Sequence, residues 1–254
     1  RDVPELSSRG PQADGRLGPV IVAPGTHVSG IASTATGYDG TGICDPFWPE
    51  GQALYARGSG TSHACPLVAG AAALFHESYL SRTGEAPSPA LVRAALAASA
   101  RDIAGGEDGQ GGKIEPIPND VQGWGRLSME DLLPDRNAAP RAVYFDQRDI
   151  LGNSDDVWET VAFPLDPAEP VKIALAWSDP PAIPGADPVL VNDLDLEVES
   201  GERLYHGNVF DGGFSAPDGE PDRRNNLECA FLARPGPVLK IRVRAAAISG
   251  DGAP

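Results

Sequence analysis

Ser62 stands at the end of a glycine-punctuated stretch, Gly58-Ser59-Gly60-Thr61, and at the head of a run of small residues: Ala64, Val68, Ala69, Gly70, Ala71, Ala72, Ala73 and Leu74. The run predicts a tightly packing helix. A hydroxyl at its start would lie within reach of unpaired backbone N–H groups and the positive end of the helix dipole. Those groups favour an alkoxide or a tetrahedral oxyanion, so the placement suits a nucleophile. Pro66 fits the first helical turn, where no N–H is needed for the ladder. A serine at a helix start is more commonly a plain N-cap, and the local spacing alone leaves that reading standing.

A second group of residues is acidic. Asp193 and Asp195 alternate with Leu194 and Leu196, so on a strand both carboxylates project from one face. Asp211, Asp222, Asn225 and Asn226 fall in loops that could converge on them. Hard oxygen ligands in that number suit a structural Ca²⁺ ion with Asp193, Asp195, Asp211 and Asp222 as ligands. Turn capping and a solvated charged face account for the same residues equally well. No cofactor for chemistry is expected.

The elements around these groups divide the chain in two. Residues 88–101 predict an amphipathic helix, with Ser88 as cap, Pro89 at the first helical position and Leu91, Val92, Ala95 and Leu96 on one face. The stretch 105–112, GGEDGQGG, has the composition of a flexible acidic loop. Residues 134–140, PDRNAAP, form a proline-bracketed linker. Beyond it, short alternating runs predict strands at 142–145, 158–163, 171–177, 194–198, 228–232 and 238–245, which is an all-β pattern of the sandwich or jelly-roll kind.

The segment GSGTSHACPLVAG, residues 58–70, resembles the nucleophile segment of the subtilases, the subtilisin-like serine proteases. The likeness continues in SSRGP at 7–11, DGR at 14–16, APGT at 23–26 and GWGRL at 123–127, and so covers residues 1 to about 134. It implies the C-terminal part of an α/β, parallel-sheet peptidase domain over residues 1–136, with Ser62 as the attacking residue. In the second half, LAWSDPP at 175–181, LVNDLDLEV at 190–198, HGN at 206–208 and DRRNNLE at 222–228 resemble the jelly-roll domain of certain bacterial subtilases, related to the P domain of proprotein convertases. That implies a β-sandwich over residues 137–254. Calcium is common in the family.

The family orders its triad Asp, His, Ser, with an oxyanion Asn between the last two, and the resemblance places all three partners of Ser62 upstream of residue 1. It also places a last strand after 245–249, so the chain is expected to lack a piece at both ends. The histidines present do not substitute readily. His63 neighbours Ser62 on the helix, where i,i+1 side chains do not face each other. His76 is 14 residues along, roughly 21 Å at 1.5 Å per residue. His206 lies in the other half, and His27, which directly follows APGT, is not excluded by spacing.

A formal net charge of −16 argues against nucleic-acid and anionic-membrane partners, which need clustered Lys and Arg. No apolar run reaches the length of a membrane span. Cys44, Cys65 and Cys229 are too few and too scattered for a disulfide framework or a zinc site; a Cys44–Cys65 bridge is conceivable, and a buried free thiol is the expectation for Cys65. The expected protein is secreted, acts on protein or peptide substrates, and as this chain alone is inactive for want of a base. Two rivals stand beside that expectation. One is a pseudo-protease or extracellular binding module; the other is a split protease whose partner is the N-terminal part of the same enzyme.

Overall fold

The computed structural model describes residues 2–39, 47–133, 142–147, 151–160, 163–164 and 166–249. The 134–140 linker and Cys44 lie outside them. The first half opens as irregular chain up to an antiparallel pair, β1 (Val28–Ile31) with β2 (Tyr55–Gly58). The second strand feeds directly into α1 (Thr61–Thr83), a helix of 23 residues. Gly84 ends it in the left-handed conformation, its N–H on the Leu80 carbonyl. After a short turn comes α2 (Pro89–Ser99), where the expected cap is present: the Ser88 hydroxyl accepts from the Leu91 N–H at 3.0 Å, with proline at the first position. A one-turn helix, α3 (Met129–Leu132), closes this half.

The sequence between α2 and α3 is held by backbone pairing. Trp124 N–H donates to the Val20 carbonyl, Val22 N–H to Gly125 and Leu127 N–H to Val22, so the GWGRL stretch runs parallel to residues 20–22. Gly123 and Gly125 both have positive φ, and a Cβ on Gly123 would stand 2.0 Å from the Pro19 carbonyl oxygen, so this close approach demands glycine. The Val22–Arg126 bridge is the one parallel pairing among the described residues. The 105–112 stretch, expected to be flexible, is instead a hydrogen-bonded turn. The Asp108 carboxylate accepts from the Gln110 and Gly112 N–H groups, Lys113 pairs with Glu107, and Arg9 of the SSRGP segment donates to Gln110 and to the Asp108 carbonyl. The acidic side chains there close turns and meet basic partners, so composition alone misjudged it.

The second half is antiparallel throughout its named strands: β3 (Val157–Glu159), β4 (Phe163–Pro164), β5 (Val171–Ala176), β6 (Asp193–Ser200), β7 (Arg203–His206), β8 (Phe210–Asp211), β9 (Phe214–Ser215), β10 (Leu227–Leu232) and β11 (Val238–Ala247). One sheet runs β3-β11-β6-β7, with β4 on the far stretch of β11; β5 pairs with β10, and β8 with β9. Side chains of β6, β7 and β11 (Leu196, Val198, Tyr205, Leu239) meet those of β10 and β5 (Ala230, Leu232, Val171, Ile173) in one apolar cluster. Residues 142–145, expected as a strand, are not one: Tyr144 turns back to pack edge-on against Phe75 and Tyr79 of α1, and Asp146 accepts from the Ser88 N–H.

A single core joins the halves. Trp124, 1% exposed, packs with Ala97 and Ala100 of the α2 end, Ile117, and Leu227, Cys229 and Phe231 of β10. Its ring lies 5.6 Å from Phe231 and 5.3 Å from Phe210. Lys172 of β5 crosses the same seam: its ammonium donates to the Ala100 carbonyl at the end of α2 at 2.6 Å and lies over the Phe231 ring. The loop 222–226 fastens the other side. Asn225 accepts from the Leu17 N–H, Arg93 donates to the Asn226 carbonyl and side chain, and Arg224 donates to the Asp14 carbonyl.

Candidate active site

Ser62 is the second residue of α1, and it is exposed. Gly60 is the N-cap, in an extended conformation that offers no side-chain cap, so the plain N-cap reading of Ser62 does not describe it. The first-turn N–H groups are therefore left without a side-chain acceptor. The approach to the helix is pinned to the APGT segment: Gly60 N–H donates to the Gly25 carbonyl at 2.8 Å, and His27 N–H donates to the Ser59 hydroxyl at 2.8 Å. A Cβ on Gly25 would meet the Gly60 carbonyl oxygen at 2.8 Å and the Ala64 Cβ at 3.0 Å, so the start of α1 lies flat against that glycine. A cleft of about 230 Å³ opens at the start of α1, walled by Val3 and Leu6, by Val22 to Thr26, and by Gly60, Thr61 and Ala64.

Among the described residues no hydrogen bond joins Ser62 to a histidine or a carboxylate. His63 lies across Gly58 and Gly60. His76 is exposed further along α1, and His206 is on β7. Cys65, expected buried, is an exposed free thiol one turn after Ser62. The cause is α1 itself: of its 23 residues only Ala71 and Phe75 are buried, while Leu67, Leu74 and Leu80 are 42%, 49% and 42% exposed.

Residues 1–125 match the family model described as the subtilase family. Over these residues the chain is similar to the subtilases. Among curated proteins it is similar to three from Dictyostelium discoideum, the serine protease/ABC transporter B family proteins tagA, tagB and tagD, at 28%, 28% and 26% identity. The alignments cover 81%, 88% and 88% of this chain and so extend into its β-rich half. The chain spans only 12%, 14% and 15% of the length of those relatives.

The four acidic residues read as calcium ligands are not brought together as a set. Asp193 and Asp195 do share a face of β6, and both receive the Arg223 guanidinium. Asp222 is occupied by the Asn208 and Asn225 side-chain amides and by the Arg224 N–H. Asp211 lies on β8, paired across to Phe214. Asp193 Oδ1 is buried and without a hydrogen-bond partner. Burial pushes the Asp193 carboxyl above the ordinary range, the Arg223 charge opposing it. Among the described residues no group of three or more His, Cys, Asp or Glu side chains is disposed to hold a metal ion.

Sequence reasoning overlooked Glu228. It is 1% exposed on β10, and one oxygen accepts from the Leu196 N–H of β6 at 2.7 Å, tying the two sheets together. The other oxygen has no partner. Burial raises its pKa well above the usual carboxylate range, reinforced by Asp222, Asp195 and Asp193. The alternation of Glu228 with Leu227 and Cys229 carries no sign that both faces of β10 are buried, which is why the sequence concealed it.

Among the described residues no helix is long and apolar enough to cross a membrane.

Proposed function

We propose that this chain carries the nucleophile of a serine endopeptidase that hydrolyses peptide bonds in protein or peptide substrates by acyl transfer, and that the 254 residues by themselves are inactive. The observation that carries the reading is an exposed serine at an uncapped helix start within the subtilase-matched segment, with no base beside it. In the working enzyme Ser62 Oγ would attack the scissile carbonyl carbon, giving its proton to a histidine from a further segment. An aspartate would hold that histidine in place, and the same proton would later pass to the leaving amine. The Ser62 N–H, at the positive end of α1, would share the oxyanion with a donor from the same segment.

The further segment has a place to sit. A helix that is apolar on most faces belongs in a protein interior, yet α1 leaves Leu67, Leu74 and Leu80 exposed. We take the occupant to be the N-terminal part of the same protease, which would bring the base and bury this face together. The β-rich half, read as a jelly roll, would stabilise the catalytic part through the shared Trp124 core. Secretion is part of the same proposal and rests on family likeness.

For calcium, the proposal now carries a condition. An ion at Asp193 and Asp195 competes with Arg223, so Ca²⁺ should raise the melting temperature of Arg223→Gln more than that of the parent chain. Identical melting curves in calcium and in chelator for both proteins would remove calcium from the account.

Labelling with a fluorophosphonate probe tests the main reading, applied to this chain and to the full natural polypeptide containing it. Labelling of the longer protein alone, lost in Ser62→Ala, is the expected result. Labelling of neither would leave Ser62 without a catalytic role and favour a binding module; labelling of the short chain would show that it holds a base of its own.

A further inference from the structure

The stretch before the nucleophile, Gly58-Ser59-Gly60, has an unusual occupant on its inner side. The His63 imidazole lies across it: a Cβ on Gly58 would meet His63 Nε2 at 2.6 Å and Cε1 at 3.1 Å, and one on Gly60 would meet Nδ1 at 3.4 Å. Gly58 does not have a positive φ, and Gly60 is extended, so backbone conformation does not require glycine at either position. At Gly58 the ring does. Nδ1 is buried and has no hydrogen-bond partner. No hydrogen bond at Nδ1 therefore sets the ring's orientation, and packing against the two glycines holds it. The same point near Gly60 lies 3.7 Å from the Ser62 backbone nitrogen, so the imidazole and the serine N–H border one small space.

We infer that His63 is a positioning residue for Ser62: its ring fills the place of the side chain missing at Gly58, lies against Gly60, and so fixes the turn that aims the Ser62 hydroxyl and N–H. The inference rests on the protease reading above, and goes beyond it by giving His63, which takes no part in proton transfer, a role in the rate. Two features follow from one contact: glycine at 58, and a planar or bulky side chain at 63. A loosened turn would misplace the reacting oxygen, and errors of about 1 Å at such a point cost on the order of a hundredfold in rate.

The test is a double-mutant cycle on Gly58→Ala and His63→Ala, read in two ways. In the 254-residue chain, amide hydrogen exchange over residues 58–64 reports the turn without any need for activity. Each single variant should speed exchange there, and the double variant should be no faster than His63→Ala, because removing the ring makes room for the new methyl group. In the full polypeptide, fluorophosphonate labelling should fall on the order of tenfold or more in each single variant. The loss should lie in the maximal labelling rate and not in probe affinity, and His63→Met, which refills the volume without nitrogen, should restore most of it. Unchanged exchange in His63→Ala, or effects of the two substitutions that simply add, would overturn the inference. A parent polypeptide that does not label at all would sink the protease reading instead, and the exchange cycle would then decide the contact by itself.

Discussion

The two longer helices are both rich in Ala and Leu, yet they live in different surroundings. α2 buries Leu91, Ala94, Ala95, Leu96 and Ala97, and its end is covered by Trp124, β5 and β10. α1 is twice as long and buries two side chains. Composition therefore tells how a helix wants to be placed, and the neighbours present tell whether that want is met. The seam between α2 and the β sheets is well covered. The part that carries Ser62 leaves its longest helix largely uncovered, as the proposed docking of a base-bearing segment requires.

The strongest way to break this comparison is at Trp124. Trp124→Ala removes the largest fully buried side chain from a core shared by both halves, which should cost about 3–5 kcal/mol. The β-rich half should lose stability along with the helical half, in one transition followed by circular dichroism and by tryptophan emission. A β half that melts at an unchanged temperature would show the seam to be a loose contact between separate units.

Glu228 comes next. Its folded-state pKa is raised above the unfolded value by burial, so the native state holds the proton more tightly. The stability it contributes is fully present below the ordinary carboxylate range and is lost as pH rises through the raised value. Glu228→Gln keeps an oxygen to accept from the Leu196 N–H and removes the charge. The variant should gain stability relative to the parent at neutral and alkaline pH, with a flatter profile of melting temperature against pH. Parallel profiles for the two proteins would mean that Glu228 stays in one protonation state throughout.

Lys172→Met should cost about 1 kcal/mol, the value of one hydrogen bond to the Ala100 carbonyl and a part-buried contact with the Phe231 ring. Denaturant unfolding measures it. A larger loss would place more of the seam in this lysine than in the apolar core.

These residues also mark what the sequence made legible. Local grammar was readable: the Ser88 cap with Pro89, the helix after Thr61, and the runs that became β5, β6, β10 and β11 all follow from propensity and period. Features set by distant partners were not. Tyr144 left its expected strand for the aromatic pair on α1. The 105–112 turn is ordered by Arg9, a hundred residues away in sequence. The same holds at the candidate sites: Ser62 was singled out by its neighbours in sequence, whereas the Arg223 guanidinium lies on Asp193 and Asp195, where a cation was expected, and only the assembled β face could reveal that.

The smallest expected effect on stability sharpens the comparison most. Leu67 and Leu74 lie on α1 seven residues apart, close to two turns, and so share a face. Because both are about half exposed here, Leu67→Ser and Leu74→Glu should change the stability of the 254-residue chain by no more than about 0.5 kcal/mol, as surface substitutions do. In the full polypeptide the same two changes should strongly reduce fluorophosphonate labelling of Ser62, since the segment that brings the base must cover this face to reach the serine. At the equivalent covered position on α2, Leu96→Ser should instead destabilise the short chain outright, by leaving a buried hydroxyl and a cavity. A large loss of stability from Leu67→Ser would show that α1 is already packed, and full labelling of Leu74→Glu in the longer protein would show that its apolar face is not where the missing segment sits.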